Sequence, residues 1–147
     1  MEIPFIGREK EKEILQEALQ SPEAEMVAVV GRRRVGKTFL IKKVYEKQII
    51  FSTSGELGTP LDEHLKKWSY AIREYSGSTL PLAVPNTWLD AFMLLIDYLK
   101  TVDFKEKKVV FLDELSWLAA NDSGFLRGLS FFWNSWAVNQ NIVVVIC

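Results

Sequence analysis

The chain has 147 residues, 48% hydrophobic and 25% charged, the composition of one ordinary globular domain and not of a disordered or fibrous segment. Lys and Arg total 18 against 19 Asp and Glu, a formal charge of −1, so no global field draws the molecule to nucleic acid or anionic lipid and any such contact must be local. One Cys, at the last position, and one His, His64, exclude an internal disulfide and the usual zinc frameworks.

The apolar stretches, of which Ile142 to Cys147 is among the longest, fall far short of the roughly 18 residues of a membrane span. The charged start lacks the pattern of a secretory signal, so the cytoplasm is the expected location, with no membrane contact.

Helical and strand patterns alternate along the chain, which indicates an α/β fold with a mainly parallel sheet in three layers. Gly7 to Gln20 places Ile14, Leu15, Ala18 and Leu19 on one face and is stopped by Ser21-Pro22, an amphipathic helix. Glu25 to Val30 reads as a strand buried on both faces. Phe39, Leu40, Ile41, Val44 and Tyr45 then mark a helix from Gly36, and Gln48 to Ser54 a second strand. After a loop at Ser54 to Pro60, Leu61, Leu65, Trp68, Ile72 and Tyr75 recur at helical spacing as one buried stripe. Ser76 to Asn86 is a loop, and Thr87 with Asp90 caps a helix carrying Phe92, Leu95, Ile96 and Leu99. Val109 to Leu112 forms a third strand that ends in Asp113-Glu114. Asn121 to Gly124 is a loop, Phe125 to Val138 a helix, and Ile142 to Ile146 a fourth strand. A chain stopping there reads as a P-loop domain, residues 1–147, truncated after its fourth strand.

Gly31-Arg32-Arg33-Arg34-Val35-Gly36-Lys37-Thr38 matches G-x-x-x-x-G-K-[ST] between a predicted strand and a predicted helix, the context of a phosphate-binding loop. Glycines 31 and 36 let successive backbone N–H groups point into one concavity, and the helix that starts there adds the positive end of its dipole. Lys37 is suited to the β- and γ-phosphates and the Thr38 hydroxyl to Mg²⁺. Gly31 through Thr38, together with Phe39, are the candidate nucleotide-binding residues. Arg32, Arg33 and Arg34 fill unconstrained positions, open to ion pairing with neighbours such as Glu9, to nucleotide contact, or to a basic partner surface.

Asp113-Glu114 stands where the second motif of a P-loop ATPase places its carboxylates, at the C-terminal edge of a parallel sheet where ligands bind. Asp113 suits the metal. Glu114, expected on the opposite face by strand alternation, suits the polarisation of attacking water as a catalytic base.

With these motifs, the Phe5-Ile6-Gly7-Arg8-Glu9 entry, Phe111 to Leu118 and the Phe132-Trp133-Asn134-Ser135-Trp136 segment, the chain resembles the prokaryotic AAA+-superfamily ATPases often called archaeal-type ATPases. The resemblance implies ATP, no Asn-Lys-x-Asp guanine motif being present, and a strand inserted between the two motif strands, hence a sheet order 1-4-3-2 with the first strand at an exposed edge. It also implies that Phe5 to Arg8 lie near the adenine, with Ile6 and Gly7 as base contacts; a hydrophobic staple for the first helix is the competing reading of the same residues. A polar sensor after the fourth strand, a fifth strand, a helical lid and C-terminal winged-helix or nuclease-like parts are the family features not found in this sequence. No arginine finger is assigned, and Arg73 and Arg127 read as solvated helix-face groups. The five tryptophans read as core or as contacts to a further domain; His64 and Cys147 receive no role.

The function expected is a Mg²⁺-dependent, ATP-binding and ATP-hydrolysing module that couples nucleotide state to a C-terminal effector, DNA or a protein partner, with homo-oligomerisation open. The alternative is a nucleotide-gated interaction module with little turnover.

Overall fold

The computed structural model describes the backbone of residues 3–30, 36–79 and 82–147, with side chains from residue 9 onward. Its core is a four-stranded sheet in which every pairing is parallel: β1 (Glu25–Ala28), β2 (Ile49–Ser54), β3 (Lys108–Asp113) and β4 (Ile142–Ile146), in the order β1-β4-β3-β2. The order 1-4-3-2 expected from the sequence is the order observed, with β4 between β1 and β3.

Helices cover both faces, because strands β3 and β4 are apolar on both sides and must bury both. On one face α1 (Ile3–Gln20) and α2 (Lys37–Val44) pack Leu15, Ala18, Ile41 and Tyr45 onto Val29, Val109, Phe111, Val143 and Val145. The Tyr45 hydroxyl donates to the Leu15 carbonyl at 2.7 Å, tying the end of α2 to α1. On the other face α3 (Leu61–Ser76), α4 (Trp88–Leu99) and α6 (Phe125–Ser135) bury Trp68, Trp88, Phe92, Phe125 and Phe132 against Phe51, Val110, Leu112 and Val144. Trp68 sits at the centre of this aromatic layer, 4.9 Å from the rings of Phe51 and Phe92 and 5.2 Å from Trp88, in edge-to-face arrangements that aromatic quadrupoles favour. Its indole N–H donates to the Ala91 carbonyl at 2.8 Å. Trp68 and Trp88 are therefore core.

Several expectations are corrected. Helix α1 begins at Ile3, not Gly7, because Pro4 is tolerated in a first helical turn and Gly7 costs only about 1 kcal/mol of propensity. Phe5 to Arg8 thus have helical backbone and are no entry segment, and a staple, which needs a residue ahead of the helix, does not apply to them. β1 is not buried on both faces: Met26 and Ala28, paired with Val144 and Ile146, lie beyond the helices that cover their neighbours and are exposed. In α3 the buried stripe is His64, Leu65, Trp68, Ser69 and Ile72, while Leu61 and Tyr75 at its two ends are exposed. Helix α6 stops at Ser135, and after a kink at Trp136 a single 3-10 turn, Ala137–Asn139, leads to β4. A short helix, α5 (Leu115–Leu118), and a 3-10 turn at Ala120–Asp122 fill the segment after β3.

The cap at α4 is as expected, with the Asp90 N–H donating to the Thr87 hydroxyl at 3.1 Å.

Candidate functional site

The site is built where β1, β4 and β3 end together. Past β1 the Val29 N–H still donates to the Ile146 carbonyl at 2.9 Å. After residues 31–35 the chain re-enters at Gly36 with φ 77° and ψ 20°, left-handed backbone that glycine adopts without strain, and this residue is the N-cap of α2. The first helical bond, Leu40 N–H to the Gly36 carbonyl, is 2.9 Å. Lys37 and Thr38 therefore stand on the first turn of a helix whose N-terminus faces the strand ends.

Thr38 and Asp113, 75 residues apart, meet there: the Thr38 hydroxyl donates to Asp113 Oδ2 at 2.7 Å. The other carboxylate oxygen, Oδ1, accepts the Glu114 N–H at 2.9 Å, and the side chain is 6% exposed. Asp113 is thus oriented through both oxygens with one edge toward the first turn of α2.

Glu114 departs from the expected strand geometry. It lies past β3 with φ 53° and ψ 49°, as N-cap of α5, so the two-residue alternation of a strand does not set its direction. The turn is clipped from two sides. The Leu115 N–H donates to the Cys147 carbonyl at 2.9 Å, and the Gly55 N–H to the Asp113 carbonyl at 3.0 Å.

Cys147, given no role in the sequence, closes the site at the end of β4. Burial and the Asp113 carboxylate beside it push the thiol up to about 11, while Lys37 acts in the opposite direction. Lys37, Asp113 and Cys147 therefore share one electrostatic environment. The signal available in the sequence was position: Cys147 ends the strand that the resemblance inserts between the two motif strands.

Of the other candidates, Phe39 is on the outer side of α2 and 66% exposed. Gly31, Arg32, Arg33, Arg34 and Val35 lie outside the described residues, and of Ile6 and Gly7 only the backbone, in α1, is described. Arg73 stacks 5.1 Å over the Tyr70 ring. Arg127 is paired at the surface with Asp122 at 3.7 Å.

A parallel sheet in which a helix entered through a left-handed glycine meets a strand-end aspartate, with helices on both faces, is a three-layer α/β fold of the P-loop NTPase type. No family model matches the chain. An uncharacterized ATP-binding protein of Methanocaldococcus jannaschii is 42% identical over 48 residues, which make up 33% of this chain and 81% of that protein. The chain belongs to the family of that protein.

Proposed function

We propose that the chain binds ATP with Mg²⁺ and hydrolyses it, as an AAA+-like module that couples nucleotide state to an effector, DNA or a protein partner. The observation that carries this reading is the 2.7 Å contact between the Thr38 hydroxyl and Asp113 Oδ2, which joins the residue after Gly36-Lys37 to the carboxylate of a neighbouring strand end. The relative's description as an ATP-binding protein supports it.

The donor set fits Mg²⁺. Two hard oxygens stand side by side, and among the described residues no three His, Cys, Asp or Glu side chains converge, so the remaining ligands fall to water and phosphate, the usual mode for this ion. Bound between Thr38 and Asp113, the ion would neutralise phosphate charge. The chain's own residues bind and orient: the N-terminus of α2 offers backbone donors to phosphate, Lys37 contributes a point charge, and Glu114 orients and deprotonates the attacking water. Gly31 to Val35 complete the phosphate loop in this reading, and Ile6 and Gly7 border the base.

Turnover is slow in this reading. An arginine finger contributes about 10³ to 10⁵ in rate, and among the described side chains the two arginines, Arg73 and Arg127, stand over the Tyr70 ring and beside Asp122 at the surface.

Calorimetric titration with Mg-ATP and single-turnover hydrolysis test the assignment. Lys37→Ala is expected to lose about tenfold to a hundredfold in affinity, the contribution of a charge-assisted phosphate contact. Glu114→Gln is expected to keep its affinity and lose hydrolysis, because the amide retains the shape but accepts no proton. Equal affinity of wild type and Lys37→Ala overturns the phosphate-loop assignment. Unchanged turnover in Glu114→Gln overturns the role of Glu114 and turns attention to another carboxylate such as Asp122, and binding without any turnover identifies a nucleotide-gated interaction module.

A further inference from the structure

The turn after β2 makes contacts that phosphate and metal binding do not require. Gly55 is buried there, and a Cβ added to it would lie 2.6 Å from the Glu114 carbonyl oxygen and 2.8 Å from the Leu118 nitrogen. Only a residue without a Cβ lets the end of β2 close on the Glu114 backbone. Glu114 in turn holds φ 53°, which a non-glycine residue keeps only where its surroundings enforce it.

The neighbouring Glu56 is fastened to α3 twice. Its side chain pairs with Lys67, and its N–H donates to Nε2 of His64 at 3.1 Å. His64 is 5% exposed and is the one histidine of the chain. A backbone amide can only donate, so Nε2 is unprotonated and the neutral ring carries its proton on Nδ1. The imidazolium, a donor at both nitrogens, has no lone pair to offer Glu56.

We propose that His64 is a positioning residue for Glu114: by accepting the Glu56 N–H it holds Gly55 against the Glu114 carbonyl and so maintains the left-handed turn that aims the Glu114 side chain. The proposal rests on the reading of Glu114 as the water-orienting carboxylate. Protonation of the ring removes the acceptor and releases the turn. Among the described residues the charges acting on the ring are Lys67 and Glu63 of α3 and Glu56 of the turn. Burial, aided by Lys67, keeps the imidazole below its ordinary value against the pull of Glu56 and Glu63, so the latch is closed at neutral pH and opens on acidification.

The first test needs no nucleotide. In NMR titrations of the full chain, the single imidazole reports its own midpoint, and the amides of Gly55, Glu56 and Glu114 are expected to shift with that same midpoint, a component that disappears in His64→Gln. A Glu114 amide that does not follow the imidazole overturns the proposal, and this wild-type result decides it even where a variant fails to fold. In single-turnover hydrolysis, His64→Phe is expected to slow the chemical step by about tenfold or more with Mg-ATP affinity within about threefold of wild type, since misplacing a positioned base affects the chemistry and not the binding. His64→Gln, whose amide oxygen can accept the same N–H, is expected to restore most of that rate. Wild-type turnover in His64→Phe overturns the proposal. Wild-type turnover in Glu114→Gln overturns the reading of Glu114 instead, and the NMR coupling would then survive without it.

Discussion

Asp113 owes its orientation to the hydroxyl of Thr38 on one oxygen and the N–H of Glu114 on the other, so a side chain that a sequence presents as one carboxylate of an acidic pair becomes a fixed acceptor. His64 shows the reverse. Read from the sequence it received no role, yet it is buried and serves as a backbone acceptor. Its burial has a consequence for stability. The native state binds the proton more weakly than the unfolded chain, whose imidazole titrates near 6.5, so between the lowered native value and 6.5 the unfolded state holds more protons. Stability is accordingly expected to rise with pH across that window, to level off above about 6.5 and to fall on acidification. Urea unfolding midpoints of wild type and His64→Gln measured across this range check the sign; a wild-type midpoint that rises relative to the variant as pH falls would contradict it.

Helices α4 and α6 cross at Gly128, where a Cβ would lie 2.7 Å from Cδ2 of Phe92 and 3.1 Å from the Trp88 carbonyl oxygen. The Phe92 ring is fully buried and the Trp88 oxygen is backbone, so neither has a free direction in which to withdraw. Alanine gains about 1 kcal/mol of helix propensity over glycine, but overpacking a well-filled core costs about 1–3 kcal/mol. Gly128→Ala is therefore expected to destabilise the protein by about 1 kcal/mol, read as a lower urea midpoint at constant slope; a stabilised variant would mean that the two helices separate freely. At this scale short apolar runs revealed the strands, most plainly β3 and β4, which are apolar on both faces, and the Thr87–Asp90 cap located α4. Neither signal revealed α5. Four residues are too few for a periodic signal, and α5 exists because its first N–H groups find the Cys147 and Glu114 carbonyls.

Among the described residues β1 has no strand on its outer side, and the surface around it is apolar: Met26 is 37%, Ile14 55% and Val30 83% exposed. An open strand edge with apolar flanks templates pairing with another chain. Sedimentation of the chain is expected to show concentration-dependent association, weakened by Met26→Lys, since a lysine on an edge strand opposes edge-to-edge pairing. A concentration-independent monomer would remove the edge as an association surface.

The strand-loop-helix succession, the Gly36-Lys37-Thr38 turn and the strand-borne Asp113 were legible in the chain alone, because they follow from local patterning and from the G-x-x-x-x-G-K-[ST] spacing. The expected strand order needed the family resemblance as well. Relations between segments distant in the chain came from packing: the contact of Thr38 with Asp113, the thiol of Cys147 beside that carboxylate, and Gly55 and His64 behind the turn of Glu114. The reason is physical. A glycine or histidine is chosen for the atoms that face it, and those atoms are brought there by sheet register and helix packing, which leave no periodic trace in the sequence.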